Sequence, residues 1–208
     1  MSEQVEVCVL RLPGRESRLN EPPYRSVHPL VEALAEALPP YLDKPFAFFG
    51  HSMGGKVAFE LARYLRTKSG IEPSHLFASG CSAPRIPRAE PPFYNLPDDQ
   101  FIEELRRLNG TPEAVLKHPE LMHLMLPLLR ADFELVQTYV YRPGPLLSCP
   151  ISAYGGLEDP DVSREHLEEW KRETTGRFNL RMFPGGHFFL EPAREQLLRM
   201  ILLDLHWA

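Results

Sequence analysis

The sequence has few cysteines, no surplus of positive charge and no long apolar run, and each shortage closes off a class of function. Cys8, Cys81 and Cys149 are the only cysteines in 208 residues. Three thiols so far apart build neither a disulfide framework nor a zinc site, so they are expected as small buried side chains. The net charge of -5 argues against a nucleic-acid partner. No apolar stretch approaches the ~18 residues of a membrane span. Met1-Ser2-Glu3-Gln4 offers no basic region and no apolar signal core, which predicts a cytoplasmic chain. Internal repeats and low-complexity tracts are also missing.

What is present is an ordinary globular composition with abundant proline. The 22 prolines are about twice the usual share, but they cluster between periodic segments and so punctuate the chain. Val5 to Leu10 is apolar and β-branched and reads as a strand. Leu12-Pro13-Gly14-Arg15-Glu16 ends it, and a polar loop runs on through Pro22-Pro23. Val27, Leu30, Val31, Leu34, Ala35 and Leu38 recur at helical spacing and stop at Pro39-Pro40. Pro45 to Phe49 reads as a strand, Lys56 to about Thr67 as a helix ending near Gly70, and His75 to Gly80 as a strand. This alternation predicts an α/β fold, a mostly parallel sheet flanked by helices.

The strand pattern lapses from Ala83 to Pro145. Asp98-Asp99 is expected to cap a helix through Leu108, Asn109-Gly110-Thr111-Pro112 to start another, and Met122 to Tyr141 to form a third. The domain reading is therefore a first core part over 1–82, a helical lid insertion over 83–145 and a second core part over 146–208. A plain packing subdomain is the alternative for the insertion. Strands return at Pro150 to Gly156 and Phe178 to Phe183. They are separated by a helix capped by Ser163 that carries Leu167 and Trp170. A last helix from about Pro192 to Leu205 closes the chain.

The chemistry centres on Gly50-His51-Ser52-Met53-Gly54-Gly55, set between a strand and a helix. Strand, Gly-x-Ser-x-Gly, helix is a nucleophile elbow. Gly50 and Gly54 are expected to leave room for the sharp reversal at Ser52. The backbone N–H of Met53, at the helix start, is the expected oxyanion donor. Asp159 and His187 also fall just beyond predicted strands, where the ends of parallel strands converge. Serine is a poor nucleophile by itself. His187 would take its proton, and Asp159 would orient the imidazole. Asp159 directly follows the turn out of its strand and is the expected acid, with Glu158 and Asp161 as neighbouring alternatives. His51 is read as pointing away. The order Ser, Asp, His is that of the α/β-hydrolases.

Leu10 to Glu16, Phe46 to Gly54, Gly110-Thr111-Pro112, Leu129-Arg130-Ala131-Asp132 and Pro184-Gly185-Gly186-His187-Phe188 together resemble the type II thioesterases. These are the free-standing editing enzymes of polyketide and nonribosomal peptide synthesis, related to the medium-chain thioesterase of animal fatty-acid synthesis. The resemblance implies an α/β-hydrolase fold with a helical lid. It implies hydrolysis of acyl groups from the phosphopantetheine arm of an acyl or peptidyl carrier protein, with no metal or organic cofactor. It also places the acid at Asp159, before Pro160. The family pattern opens with a further strand and a Phe-Pro-x-Ala-Gly-Gly-like loop that gives a second oxyanion N–H, and neither precedes Val5 here. Two other functions stay open at this point: a general serine esterase or lipase, and a non-catalytic carrier-binding homologue. An acidic carrier would seek a local basic patch, and Arg85 and Arg88 are candidates beside a plain solvated loop.

Overall fold

The computed structural model describes residues 5–88 and 90–205. The chain divides into two compact units. One comprises 27–87 and 140–208, the other 1–26 and 88–139.

The first unit holds α1 (Val27–Ala37), β1 (Ala47–His51), α2 (Met53–Ser69) and β2 (His75–Ser79). The sheet order is β1-β2-β3-β4, parallel throughout, with β3 at Ile151–Gly156 and β4 at Phe178–Phe183. The central strands β2 and β3 are buried along their whole length, as parallel strands covered on both faces must be. Alternation sends Leu76, Ala78, Ile151 and Ala153 to one face, against Ala58, Phe59 and Ala62 of α2 and the buried Leu167 and Trp170. Phe77, Tyr154 and Phe183 go to the other, with Phe189 and Leu197. Gly70, in the left-handed conformation at φ 69°, closes α2.

The second unit is helical. Taking the helices in chain order, α3 (Asp98–Leu108), α4 (Glu113–Leu116) and α5 (Pro119–Gln137) lie between β2 and β3, whereas α6 (Arg164–Glu168) and α7 (Arg194–Asp204) belong to the sheet unit. Phe93, Phe101, Leu105, Leu116 and Met122 form the helical core. Arg15 reaches Asp132 at 2.5 Å, and the Gly14 backbone lies so near Leu128 that a Cβ there would sit 3.0 Å from Cδ1. The Leu-Pro-Gly-Arg-Glu and Leu-Arg-Ala-Asp stretches, far apart in sequence, thus meet.

Several expectations change. Val5 to Leu10 is not a strand among the described residues, and Val7, Val9 and Leu10 are exposed. β-branched residues favour extended backbone, but a strand also needs a partner to take its N–H and C=O groups. Cys8 lies in this run and is exposed, unlike Cys81 and Cys149. Pro97 holds the N-cap of α3 without a side-chain cap. Asp98 and Asp99 fall inside the first turn, where they favour the helix through its dipole. The third helix spans Pro119–Gln137 rather than reaching Tyr141.

Candidate active site

The turn from β1 into α2 forces Ser52 to φ 53° and ψ -117°, a region that side-chain-bearing residues seldom occupy. Its N–H donates to Ser79 O at 2.8 Å, and its own carbonyl accepts from Gly55 N at 3.0 Å. A Cβ on Gly50 would lie 2.0 Å from Gly54 O, so glycine is obligatory at that position. Gly54 is different, because a Cβ there would meet nothing within 4 Å. The second crowded glycine is Gly55, whose Cβ would come 2.9 Å from Cys81 Cβ. Met53 is the first residue of α2, so its N–H belongs to the first-turn donors that lack an intrahelical acceptor.

The loops after β3 and β4 are held together by backbone bonds. Leu157 N donates to Phe183 O at 2.8 Å and Glu158 N to Gly185 O at 3.0 Å. Gly156 permits this, since a Cβ there would sit 2.2 Å from Gly186 O. The result brings Asp159 and His187 together, with Nδ1 2.7 Å from Oδ2. The Asp159 side chain is fully buried, while His187 keeps partial access to solvent. Oδ1 of Asp159 accepts from the N–H groups of Asp161 and Val162, at 2.9 and 3.1 Å. Burial alone would push this carboxyl up. The bonds from His187, Asp161 and Val162 outweigh it and hold the group below the usual carboxylate range. An ionised Asp159 requires the proton of His187 to sit on Nδ1, which leaves the Nε2 lone pair available as a base. Of the three acids in this loop, Asp159 is the one bonded to the imidazole; Glu158 and Asp161 are exposed.

Two features escaped the sequence reading. The first is His51. Its ring centroid lies 5.0 Å from that of His187, so the side chain does not point away. Burial, then the proximity of His187, lowers its pKa to about 4. The second is another serine–histidine–aspartate group at the N-terminal end of the sheet. Ser152 Oγ donates to Asp204 Oδ2 at 2.7 Å and lies 2.9 Å from His75 Nε2. Asp204 also receives Tyr154 Oη at 2.8 Å, Asn179 Nδ2 at 3.2 Å and both terminal nitrogens of Arg181. The sequence held a faint signal, because Asp204 stands three after Ile201 and seven after Leu197, on the inward stripe of α7.

Arg85 is committed locally, with Nε 2.7 Å from Oε1 of the buried Glu173. Arg88 donates to Glu90 O and lies over the Phe93 ring. No helix among the described residues is long and apolar enough to cross a membrane.

The sequence profile of the thioesterase domain family matches residues 1–204. The chain is 46% identical over 203 residues to the gramicidin S biosynthesis protein GrsT of Aneurinibacillus migulanus, covering 98% of this chain and 79% of that one. Among solved structures, it resembles the RedJ thioesterase from the prodiginine biosynthetic pathway of Streptomyces coelicolor. The TM-score there is 0.87 with 39% identity, covering 94% of this chain and 78% of RedJ. The type II thioesterase BorB from the borrelidin biosynthetic cluster gives a TM-score of 0.85 with 39% identity, over 94% of this chain and 79% of BorB.

Proposed function

The chain belongs to the thioesterase domain family, and from that premise we propose that it is a type II serine thioesterase working through Ser52, His187 and Asp159 on acyl groups tethered to a carrier protein. Ser52 Oγ attacks the thioester carbonyl as His187 Nε2 takes its proton. Asp159 holds the imidazole in the Nδ1–H tautomer and offsets the charge that develops. The Met53 N–H faces the oxyanion, a contact whose loss from a serine hydrolase costs roughly 10²–10³ in rate. His187 then protonates the departing thiolate. A water activated by the same nitrogen releases the acid, and Ser52 recovers its proton.

The observation that carries this reading is the 2.7 Å bond between His187 Nδ1 and the buried carboxylate of Asp159. It belongs to the same sheet end as the strained Ser52 turn. The tethered substrate would come from an acyl or peptidyl carrier with a phosphopantetheine arm, in the cytoplasm. Residues 83–145 take the part of the lid in this reading, and substitutions there should change the preferred acyl length before they change the rate on the best substrate. No observation favours a free-ester hydrolase or a non-catalytic carrier binder.

Hydrolysis of an acyl-carrier protein by the wild type and by Ser52→Ala tests the proposal. Turnover that disappears in the variant supports it. Turnover that survives in Ser52→Ala, or a folded wild type without turnover, contradicts it.

A further inference from the structure

His51 occupies a costly position for a histidine. It ends β1, next to Ser52, with its ring among those of His187, Phe188 and Phe189 at centroid distances of 5.0, 6.1 and 5.9 Å. Its Nδ1 lies 3.0 Å from Ser79 Oγ. Its Nε2 is buried without a hydrogen-bond partner among the described residues. Buried polar atoms are nearly always paired, so an exception calls for an explanation. A phenylalanine would fill the same space beside the same aromatic neighbours and strand no nitrogen. Packing alone therefore does not account for an imidazole here.

The floor beneath the ring gives the rest of the argument. Gly80, at φ +54°, follows Ser79. A Cβ on Gly80 would come 2.5 Å from His51 Cε1 and 3.4 Å from His187 Cε1. Both imidazoles therefore rest on the same bare stretch of backbone. His187 is fixed on one side by Asp159 at 2.7 Å, and on another by the His51 ring. The His51 ring is in turn fixed by Ser79 Oγ, at the end of a fully buried strand.

We propose that His51 is a positioning residue for His187: its imidazole, tied through Nδ1 to Ser79 Oγ and seated with His187 over Gly80, sets the angle at which His187 Nε2 meets the serine. This rests on the reading of His187 as the general base. A side chain that acts only by orienting the base should affect the chemical step and leave substrate binding alone. A misplacement of about 1 Å at such a group can cost on the order of 10²-fold in rate.

The test is steady-state hydrolysis of a small acyl-pantetheine thioester by His51→Phe, Ser79→Ala, their double variant, His51→Asn and His187→Ala, with Tm recorded for each. His51→Phe and Ser79→Ala should each lower kcat by roughly 10–100-fold with KM little changed. The double variant should be no worse than either single one, because both remove the same link. His51→Asn keeps a polar atom near the Nδ1 position and should recover most of the loss. Wild-type kcat in both single variants, or losses that multiply in the double, would overturn the inference. If His51→Phe does not fold, Ser79→Ala decides between the same outcomes. Turnover surviving in His187→Ala would instead overturn the triad reading, which separates the two failures.

Discussion

The sheet carries a serine, a histidine and an aspartate at each end, and the two groups are wired in opposite order. At the C-terminal end the histidine stands next to the acid, with His187 bonded to Asp159 through Nδ1, and in the proposed mechanism its second nitrogen serves Ser52. At the N-terminal end the serine stands in the middle, with Ser152 giving its proton to Asp204 and accepting from His75. A hydroxyl whose proton is already held by a carboxylate has no base to activate it. Ser152 is also wholly inaccessible, and His75 is stacked on Phe77 with ring centroids 4.2 Å apart. Ser52 instead sits on a strained turn at the rim of the sheet. The same three residue types make the proposed reaction site in one order and a clamp between strands and α7 in the other. Burial pushes the Asp204 carboxyl up, but the bonds from Arg181, Ser152 and Tyr154 hold it below the usual range. It stays an acceptor and binds the end of the last helix to β3 and β4.

Exchanging charge for amide at the two acids should separate the ends most sharply. Asp159→Asn should cut kcat by roughly 10³–10⁴-fold through loss of the correct imidazole tautomer, with a smaller loss of Tm than Asp204→Asn. Asp204→Asn should do the reverse. It leaves Arg181 without its partner, costs roughly 3 kcal/mol, and leaves the kcat of the folded protein unchanged. Urea midpoints beside initial rates read both quantities, and a large rate loss in Asp204→Asn would blur the distinction.

His51 and Asp204, one at each end, also lose their contributions in different pH windows. His51 binds its proton less readily in the folded state, at about 4 against 6.5 unfolded. Its contribution is complete above about pH 6.5 and declines as pH falls to about 4, by up to roughly 3 kcal/mol. His51→Phe should flatten that stretch of the stability curve. The Asp204 carboxyl is depressed, so its contribution is present above the unfolded carboxylate value of about 4 and fades as pH falls through the lower folded one. Asp204→Asn should flatten only the more acidic stretch. Urea midpoints across pH 3 to 8 distinguish the two, and identical curves for all three proteins would remove the assignment.

Smaller effects sharpen the comparison further. Ser152→Ala strips a partner from both His75 and Asp204 and should cost about 1–3 kcal/mol with no loss of kcat. At the elbow, Gly54→Ala should stabilise the fold by about 0.5–1 kcal/mol of helix propensity and so raise Tm slightly. Gly50→Ala should prevent folding or distort the turn, because its Cβ would meet the Gly54 carbonyl at 2.0 Å. Thermal melts of the two alanine variants check this, and equal behaviour would contradict it.

Much of this was legible in sequence because it is local. The β2, β3 and β4 runs, the α2 stop at Gly70 and the loops ending in Asp159 and His187 follow from alternation and turn residues over a few positions. What failed depended on neighbours that are distant in sequence. Val5 to Leu10 has strand chemistry, yet pairing cannot be read from one strand. Gly54 was the glycine expected to leave room, and only the position of Cys81 makes Gly55 the crowded one instead. His51 seemed to point away from the site because a residue next to the serine alternates to another direction. It returns to the site through Gly80, whose lack of a side chain mattered only once two loops were folded over it. The Asp204 clamp joins residues from three strands and a helix, so no window of sequence contained it.

The most direct measurement is to treat the protein with a serine-directed fluorophosphonate and locate the adduct by peptide mass. The account predicts one adduct, on Ser52, lost in Ser52→Ala and His187→Ala and kept in Ser152→Ala. An adduct on Ser152, or labelling that persists in Ser52→Ala, would mean that the reactive end of the sheet has been misidentified.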